Sequence, residues 1–415
     1  MTDLAAIVGA AHVSRGSAAD TVGDVVPRQV VRPGSIPEVQ TVVRAVAAAG
    51  ERLLPCGAGA HLDLGAPPAR IDVLLQLDRL NRIVDHQAAD MTATVEAGCS
   101  LNALDEVLAR AGQWLPLDPP QAADTTVGGL VAANLSGPLR ASQGTARDLV
   151  IGLRTVSADG TLVAGGGRVV KNVAGYDLPK LHIGALGTLG VIVEVTWKVR
   201  PRPAAEAAVV IGCRSVEEAG EVALAMRDLV EPYWLEAVSA DVLPAAFPVG
   251  AAVVVGIAGM MEEIEAWRAA IASHAASAID VEDGRALRLD LGNFPIRPAD
   301  AVIRVATLPT AVGAVMTLAD HTARSTGGNA RCTAHASNGV VTVAVDGSAA
   351  VSQTVIALRT LVAAHGGTAA IDRAAPAVKA SLGMYGALGD GAGLMRAIRD
   401  QFDPRRLFAR HVLDE

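Results

Sequence analysis

The segment from Gly165 to Gly190 reads GGGRVVKNVAGYDLPKLHIGALGTLG and continues directly into the strand-like sequence VIVEVTWKV. It contains seven glycines, and because glycine lacks a Cβ, it lets a flat ligand lie directly against the backbone. The few polar residues between the glycines can supply charge and hydrogen bonds to such a ligand. The segment therefore predicts one wall of a flavin site; a glycine-rich hairpin and turn without a ligand is the alternative.

Length and composition limit the class of protein. A chain of 415 residues predicts two packed domains rather than one core, and 51% hydrophobic residues supply ample material to bury. The net charge is −8 and there is no long basic run. This argues against nucleic acid as a partner and against an electrostatic membrane anchor.

Cysteine spacing and the first residues predict a reducing compartment. The four cysteines, Cys56, Cys99, Cys213 and Cys332, lie far apart and form no CxxC pair, so no metal site, iron–sulfur cluster or disulfide framework is expected in this chain. The N-terminus has an acid at Asp3 and no basic region, unlike a secretory signal. No apolar run is long enough to span a membrane. We expect a cytoplasmic protein that contacts a membrane only through partners.

Residues 1–26 are predicted to form a short N-terminal helical segment. The sequence at 30–57 then predicts a strand, a helix and a second strand. Its valines keep helical spacing, and Gly50 ends the helix. The second strand continues into CGAGAHLDLG at 56–65, a glycine turn whose amides predict a pyrophosphate site. Leu62 stands where the Rossmann fingerprint needs a third glycine, so we expect a dinucleotide held without a Rossmann helix. A tight turn without a ligand is the alternative.

A second anion site is predicted in DTTVGGLVAAN at 124–134. Thr125 and Thr126 precede Gly128 and Gly129 at the start of an apolar helical run, where threonine hydroxyls and unpaired amides suit a phosphate. Two such loops fit the two phosphates of a dinucleotide. Beyond the prolines at 201 and 203, a strand-then-helix pattern repeats and predicts an α+β module that covers the ligand and shapes a substrate cavity at the boundary.

The sequences GGRVVKNVAGYDL at 166–178 and LHIGALGTLGVIVEVTWKVRPRP at 181–203 resemble the FAD-binding subunit of bacterial glycolate oxidase. That subunit belongs to the vanillyl-alcohol-oxidase superfamily of flavoproteins with a PCMH-type FAD-binding domain. Agreement extends from VVRPGS near Val30 through PCGAGAHLDLG, LPLDPP, TTVGGLVAAN and GTARDLVIGLRTVSADG to Pro203, nearly half of the chain.

The resemblance implies an α+β fold: a PCMH-type FAD-binding domain of two α+β subdomains at 27–203, an α+β cap domain at 204–400 and a tail at 401–415. In relatives with a histidyl-linked flavin, the tether occupies the position of Ala60. His61 comes one residue later, so we expect noncovalent FAD; a histidine without a role is the alternative for His61. The implied FAD contacts are Cys56, Gly57, Ala58, Gly59, Ala60, His61, Pro119, Thr125, Thr126, Gly128, Gly129, Gly190 and Ile192.

The sequence indicates the catalytic residues less clearly than it indicates the cofactor-binding residues. Lys171, Asn172 and Tyr176 are candidates from the glycine-rich segment. Related subunits and D-lactate dehydrogenases carry a motif resembling GHAGDGNLH in the cap, whereas this chain has AHASNGVVT at 334–342. His335 remains as a candidate base, but Asn338 replaces the acid and a threonine replaces the second histidine; a packed or surface histidine is the alternative. The tail FDPRRLFARH lacks the Asn-Pro-Gly that usually follows FDP in relatives.

The function implied is that of an FAD-binding subunit in a complex that oxidises glycolate, or another small 2-hydroxy acid, to the 2-oxo acid. The expected partners are a sister FAD subunit and an iron–sulfur subunit that takes the electrons. Two alternatives stay open at this point: a self-sufficient FAD-dependent hydroxy-acid or alcohol oxidase, and a scaffold subunit with a flavoprotein fold and no catalysis.

Overall fold

The computed structural model describes residues 3–167, 176–243, 247, 250–295 and 298–409. These residues fold into three main β-sheets with helices packed against them. The α+β class predicted from the sequence is confirmed.

The first half of the chain contains seven helices and eleven strands among its described residues. The helices are α1 (Ala5–Val8), α2 (Ile36–Ala48), α3 (Leu101–Ala109), α4 (Val127–Ala133), α5 (Arg140–Gln143), α6 (Ala146–Leu149) and α7 (Pro179–His182). The strands are β1 (Val13–Arg15), β2 (Gln29–Val31), β3 (Leu53–Cys56), β4 (Val73–Gln76), β5 (Ile83–Gln87), β6 (Thr92–Glu96), β7 (Gln113–Trp114), β8 (Val150–Val156), β9 (Leu162–Gly166), β10 (Val191–Lys198) and β11 (Arg200–Pro201).

The first sheet has the strand order β1-β2-β4-β3, with β2, β4 and β3 parallel and β1 antiparallel. Helix α2 crosses between β2 and β3 as the valine spacing predicted. It begins at Ser35, whose Oγ accepts a hydrogen bond from the Glu38 amide at 3.3 Å. Its apolar stripe, Val39, Val42, Val43 and Val46, is fully buried in the core.

The second sheet is antiparallel, with the order β5-β6-β10-β8-β9. Its central strand β10 follows the glycine-rich segment and is buried along almost its whole length, including Trp197. A central strand that is covered on both faces needs apolar side chains at successive positions, and this explains the sequence VIVEVTWK. Strands β11 and β7 form a separate two-stranded pair.

The second half contains seven helices and eight strands among its described residues. The helices are α8 (Val216–Leu229), α9 (Met261–His274), α10 (Gly284–Gly292), α11 (Val312–Ser325), α12 (Ser348–Ala363), α13 (Pro376–Leu382) and α14 (Ala392–Phe402). The strands are β12 (Ala205–Cys213), β13 (Trp234–Ser239), β14 (Ala251–Gly259), β15 (Ala278–Val281), β16 (Ala301–Ala306), β17 (Asn329–His335), β18 (Val340–Asp346) and β19 (Thr368–Ala374).

These strands form one antiparallel sheet in the order β15-β12-β14-β13-β17-β18-β16-β19. Helices α8, α9, α11 and α12 cover one face with a large apolar core. The opposite face carries Trp234 and Val254, and these pack in one buried cluster with Trp114 and Leu139 of the first half. The large sheet is therefore packed directly on the first half of the chain.

Both ends of the described chain join the first sheet. The segment before residue 27 contains α1 and also strand β1, which pairs with β2. After α14 the chain returns to β3: the Leu53 amide donates to the Leu407 carbonyl at 2.9 Å, and the Ala409 amide donates to the Leu53 carbonyl at 2.8 Å. Phe408 is buried in the same core as α2. The domain boundaries at 26, 203 and 400 remain predictions.

Candidate functional site

The loop that follows β3 approaches the start of α4 very closely. A Cβ added to Gly57 would lie 2.1 Å from Thr126 Oγ1, so this position requires glycine. Gly59 has a φ of +91°, in the region that favours glycine. Two turn hydrogen bonds, from the Leu62 amide to the Gly59 carbonyl and from the Leu64 amide to the His61 carbonyl, shape the rest of the loop.

The amides of residues 57–61 donate to no acceptor among the described residues. Five successive free amides, at the end of a parallel strand, form a concave set of hydrogen-bond donors. Such a set suits an anion, and a pyrophosphate in particular. The loop therefore has the donors that the sequence predicted for it.

The second predicted anion site is different. The first amides of α4 are all satisfied within the protein: the Val127 amide donates to the Cys99 carbonyl at 2.8 Å and the Gly128 amide to the Ala97 carbonyl at 2.7 Å. The Gly129 amide donates to Thr126 Oγ1 at 3.2 Å, with Thr126 as the N-cap. The expectation of unpaired amides at this helix start is therefore wrong. This segment contributes a wall of small residues instead.

That wall is tight against the second sheet. A Cβ on Gly128 would lie 2.7 Å from the Cβ of Ala97, and a Cβ on Gly190 would lie 3.1 Å from the Val156 carbonyl oxygen. Gly187 stands beside them with a φ of +73°. Bare backbone therefore forms this side of the cleft, which suits a planar ligand.

The structure brings nearly all of the predicted cofactor residues into one continuous cleft, here called the main cleft. Its two adjoining halves share Cys56, Gly57, Thr126 and Gly129. Pro119 is the exception, because it is buried and does not line either half. The predicted residues that line the cleft are Cys56, Gly57, Ala58, Gly59, Ala60, His61, Thr125, Thr126, Gly128, Gly129, Gly190 and Ile192.

His61 is held in one tautomer. The Thr125 hydroxyl donates to the Gln121 carbonyl at 2.8 Å, so it accepts from His61 Nε2, which lies 2.9 Å away. His61 Nδ1 is then an acceptor, buried and without a hydrogen-bond partner among the described residues. Burial lowers the pKa of His61 to about 4, against the opposing effect of nearby Asp63. The imidazole is neutral at pH 7 and presents a free lone pair.

A second cavity, here called the side cavity, lies between the two halves of the chain. Its chemistry centres on His335, whose Nδ1 lies 2.6 Å from Glu236 Oε1 on the neighbouring strand. Glu236 is buried, and an ionised carboxylate only accepts, so the proton of this hydrogen bond lies on Nδ1. The residues that line the cavity are Leu64, Pro120, Leu135, Ser136, Arg140, Phe294, Pro295, Val302, Arg304, His335, Val340, Thr342, Asp372 and Arg373.

Three arginines line the side cavity, and they are paired differently. Arg304 lies 3.1 Å from Asp372, and Arg373 lies 2.7 Å from Asp63. Arg140 has no carboxylate partner among the described residues. Burial, helped by the charge of Arg304, lowers the pKa of Arg140 from its ordinary value, but the group stays cationic at pH 7.

Asn338, the residue that departs from the related motif, connects this arginine to the histidine strand. With its amide oriented to satisfy both neighbours, the Asn338 oxygen accepts from Arg140 Nε at 3.1 Å and its nitrogen donates to the His335 carbonyl at 3.1 Å. Ser136 also lines the cavity, and its hydroxyl is buried without a partner among the described residues. The cavity thus combines a paired imidazole, a guanidinium without a carboxylate partner and a hydroxyl without a hydrogen-bond partner among the described residues.

The main cleft and the side cavity adjoin each other. Leu64 and Leu135 line the side cavity, and Ala133 and Leu186 line the main cleft. Leu64, Ala133 and Leu135 form one buried apolar cluster, against which the partly buried Leu186 packs. The arrangement places an acid–base group and a cation beside the predicted cofactor site.

Of the three catalytic candidates from the glycine-rich segment, only Tyr176 lies within the described residues. Lys171 and Asn172 lie outside the described residues. Tyr176 is 93% exposed and lines neither the main cleft nor the side cavity. Of the two candidates that the structure describes, His335 lines the side cavity and Tyr176 does not. Sequence reasoning missed Glu236, Arg140 and Ser136; the signal for Glu236 was an acid inside the apolar strand sequence WLEAVS.

Two further observations concern the rest of the molecule. A further cavity, of about 630 Å³, lies between the end of α2 and the segment 401–405, and none of the lining residues of the main cleft or the side cavity lines it. Within the described ranges, no group of three or more His, Cys, Asp or Glu side chains is arranged to hold a metal ion. None of the described helices is both long and apolar enough to cross a membrane.

A known family model matches the part of the chain that supplies most residues of the main cleft. Residues 27–166 match a family model described as an FAD binding domain. This range contains the loop at 57–61, Thr126 and both glycines of α4. The free amides and the bare glycine wall fit a flavin dinucleotide, since the amides suit its pyrophosphate and the wall suits its planar ring.

Curated relatives match the same half of the chain. D-2-hydroxyglutarate dehydrogenase of Xanthomonas citri pv. viticola is 37% identical over 177 residues, which are 43% of this chain and 38% of that protein. Glycolate oxidase subunit GlcE of Escherichia coli is 43% identical over 124 residues, 30% of this chain and 35% of that one. Glycolate oxidase subunit GlcD of Bacillus subtilis is 32% identical over 177 residues, which are 43% of this chain and 38% of that protein. The matches thus span well under half the length of these relatives.

Solved structures match nearly the whole chain in fold. p-Cresol methylhydroxylase with substrate bound superposes with a TM-score of 0.75 at 15% identity, covering 99% of this chain and 96% of that one. Alkyldihydroxyacetonephosphate synthase superposes with a TM-score of 0.73 at 16% identity, covering 98% of this chain and 83% of that one. The described fold is therefore the one predicted, a PCMH-type arrangement with an α+β cap. The chain carries an FAD-binding domain of this type over residues 27–166, and FAD is its cofactor.

Proposed function

We propose that this chain is the FAD-binding subunit of a 2-hydroxy acid oxidase or dehydrogenase of the glycolate oxidase type, which oxidises a small acid such as glycolate to glyoxylate. The observation that carries the proposal is the pairing of His335 with Glu236 beside Arg140, in a cavity that adjoins the main cleft. Removing a hydroxyl proton from a carboxylate substrate requires a base and a cation, and this cavity has both.

FAD is held noncovalently in this proposal. The amides of residues 57–61 would bind the pyrophosphate, and Thr125, Thr126 and the α4 glycines would form the adjoining wall of the site. Gly190 and Ile192 line the ring from the glycine-rich segment. When bound, FAD supplies the acceptor for the hydride that leaves the α-carbon.

The side chains of the side cavity then have separate roles. His335 Nε2 accepts the proton of the substrate hydroxyl as the hydride leaves. Glu236 orients the imidazole through Nδ1 and stabilises the imidazolium that forms, because a buried carboxylate favours the adjacent positive charge. Arg140 pairs with the substrate carboxylate and fixes the α-carbon relative to the ring.

The charges of the cavity favour a monocarboxylate. Arg304 and Arg373 already have carboxylate partners, whereas Arg140 has none among the described residues. One available guanidinium matches glycolate or lactate better than a dicarboxylate, which brings a second charge into a cavity where the remaining cations are neutralised.

The electrons leave through partners in this proposal. A relative named as a glycolate oxidase subunit supports a multi-subunit complex, and we place a sister FAD subunit and an iron–sulfur subunit in it. We place the protein in the cytoplasm, where it reaches the inner membrane only through that complex.

The test is anaerobic reduction of the purified, FAD-loaded chain by glycolate, D-lactate and D-2-hydroxyglutarate. We expect rapid bleaching of the visible flavin absorbance with the monocarboxylates and slow bleaching with the dicarboxylate. Rapid reoxidation by oxygen would favour the self-sufficient oxidase. A chain that binds FAD, yet is reduced by no 2-hydroxy acid either alone or with its partner subunits, contradicts the proposal, and a chain that stays colourless with FAD points to a scaffold.

A further inference from the structure

Lys379, in the second half of the chain, holds the far end of the FAD-binding loop. It lies on α13 and is buried, with its ammonium group donating to three main-chain carbonyls. Two of these belong to the loop, at Asp63 and at Gly65, the latter 3.2 Å away. The third, at 2.9 Å, belongs to Asp372 on β19. One ammonium thus ties α13, β19 and the loop together across more than 300 positions of sequence.

A second cation contacts the same loop. Arg373, next to Asp372 on β19, places its Nε 2.7 Å from Asp63 Oδ2. The Arg373 side chain is 30% exposed, so this pair is partly screened by solvent, whereas Lys379 is a buried residue. Residue 63 is therefore held through its carbonyl by one cation and through its carboxylate by another.

This anchoring matters because the preceding residues have no such support. The amides of residues 57–61 make no hydrogen bonds of their own among the described residues, so their directions depend on the shape in which the loop is held. Two turn bonds, at Gly59 to Leu62 and at His61 to Leu64, connect them to the anchored end. Donors aimed at an anion bind well only when they are held in place before the ligand arrives.

We infer that Lys379 and Arg373 are positioning residues for the FAD-binding loop, so that the affinity of the first half of the chain for FAD depends on two cations supplied by the second half. Neither residue lines the main cleft. The inference rests on the proposed FAD site, and it extends that site to residues far outside the matched range 27–166.

The experiment is titration of the full-length apoprotein with FAD, followed by quenching of flavin fluorescence and by the rate of FAD release. Lys379→Met keeps the aliphatic stem and removes the ammonium. Loss of hydrogen bonds from a charged donor predicts a Kd for FAD raised about tenfold or more, mainly through faster release. At saturating FAD the visible flavin spectrum should return to that of the wild type, which a misfolded cleft would not allow.

The matched control is Ser142→Ala. It removes another contact between the two halves, a hydrogen bond of 2.6 Å from the Ser142 hydroxyl to the Tyr233 carbonyl, far from the loop in sequence. We expect its Kd for FAD to equal that of the wild type. Should Lys379→Met fail to fold, Asp63→Asn, Arg373→Gln and their combination provide a double-mutant cycle, in which the second change should add little to the first.

The outcomes distinguish a failure of this inference from a failure of the proposed function. A wild-type chain that binds FAD, with unchanged Kd in Lys379→Met and fully additive effects in the cycle, overturns this inference and leaves the proposed function intact. A wild-type chain that binds no FAD overturns both. A raised Kd for Lys379→Met alone, with Ser142→Ala unaffected, supports it.

Discussion

Glu236 Oε1 lies 2.6 Å from His335 Nδ1 across the neighbouring strands β13 and β17, where the two residues are direct partners in the antiparallel register. Glu236 is 1% exposed, so its negative charge is shielded from water and acts mainly on the imidazole. The pair is rigid because both residues sit inside a sheet rather than on loops. A carboxylate behind an imidazole is the arrangement that makes histidine an effective base.

We predict that Glu236→Gln slows flavin reduction by glycolate. The amide keeps the shape of the side chain but no longer stabilises the imidazolium, so the rate should fall on the order of a hundredfold. His335→Gln should fall at least as far, and the combined variant no further than His335→Gln. Stopped-flow reduction at saturating glycolate measures this, and FAD content checks the fold. Equal rates in wild type and Glu236→Gln would rule out the pair as the base.

Arg140→Met should act on substrate binding. Without the guanidinium, the substrate carboxylate loses its ion pair in a cavity where the other arginines are already paired. We expect the KM for glycolate to rise by about tenfold to a hundredfold, with a smaller change in kcat. Arg324→Met is the control, since Arg324 is exposed and pairs only with Asp320 on the same helix. An unchanged KM in Arg140→Met would remove Arg140 from the site.

The local parts of this site were predictable from the sequence, and the long-range parts were not. Valine spacing predicted α2, and the glycines at 57 and 59 predicted the loop. His335 and Glu236 are 99 positions apart, and only the register of β13 with β17 brings them together. The prediction of free amides at α4 failed for the same reason, because the carbonyls of Ala97 and Cys99 arrive from another element.

Gly57→Ala should weaken FAD binding. The added Cβ would lie 2.1 Å from Thr126 Oγ1, so the loop or the start of α4 must move. Overpacking of this kind costs roughly 1–3 kcal/mol, which corresponds to a Kd for FAD raised about fivefold to somewhat over a hundredfold if the cost falls on the bound state. Gly393→Ala is the control, because a Cβ there meets nothing within 4 Å. Fluorescence titration of both apoproteins gives the comparison, and equal affinities would show that the loop tolerates the shift.

His61 should make the stability of the apoprotein depend on pH. Its pKa is lowered by burial from 6.5 to about 4, so between these values the unfolded state binds more protons than the folded state. Stability therefore rises with pH across this window and falls on acidification, by at most about 3 kcal/mol for this residue. Urea unfolding at pH 4.5 and pH 7 should show a smaller difference in His61→Asn. Some dependence will persist, because burial also lowers the pKa of His182 to about 4; an unchanged difference would contradict the burial of a neutral His61.

Among the cations that the structure describes, we expect the removal of Arg288 to lower the free energy of unfolding the most. It is buried between the two halves, 2.9 Å from Asp118 and 2.6 Å from Glu206, and the indole of Trp234 also donates to Glu206.

Even with Arg288 in place, burial raises the pKa of Asp118 to about 6, so the ionised form of this carboxylate already opposes folding at neutral pH. Arg288→Met leaves two buried carboxylates without their cation, and we expect a loss of roughly 3–5 kcal/mol in the free energy of unfolding at pH 7.

Part of that loss should return on acidification. The folded state takes up a proton on Asp118 at a higher pH than the unfolded state does, so lowering the pH relieves the buried charge. Arg324→Met provides the contrast, because Arg324 is 67% exposed beside Asp320, which is itself 37% exposed, and its loss should leave the free energy of unfolding nearly unchanged. Denaturant unfolding at pH 5.5 and pH 7 tests both variants, and equal small losses would mean that the two halves stay packed without this buried ion group.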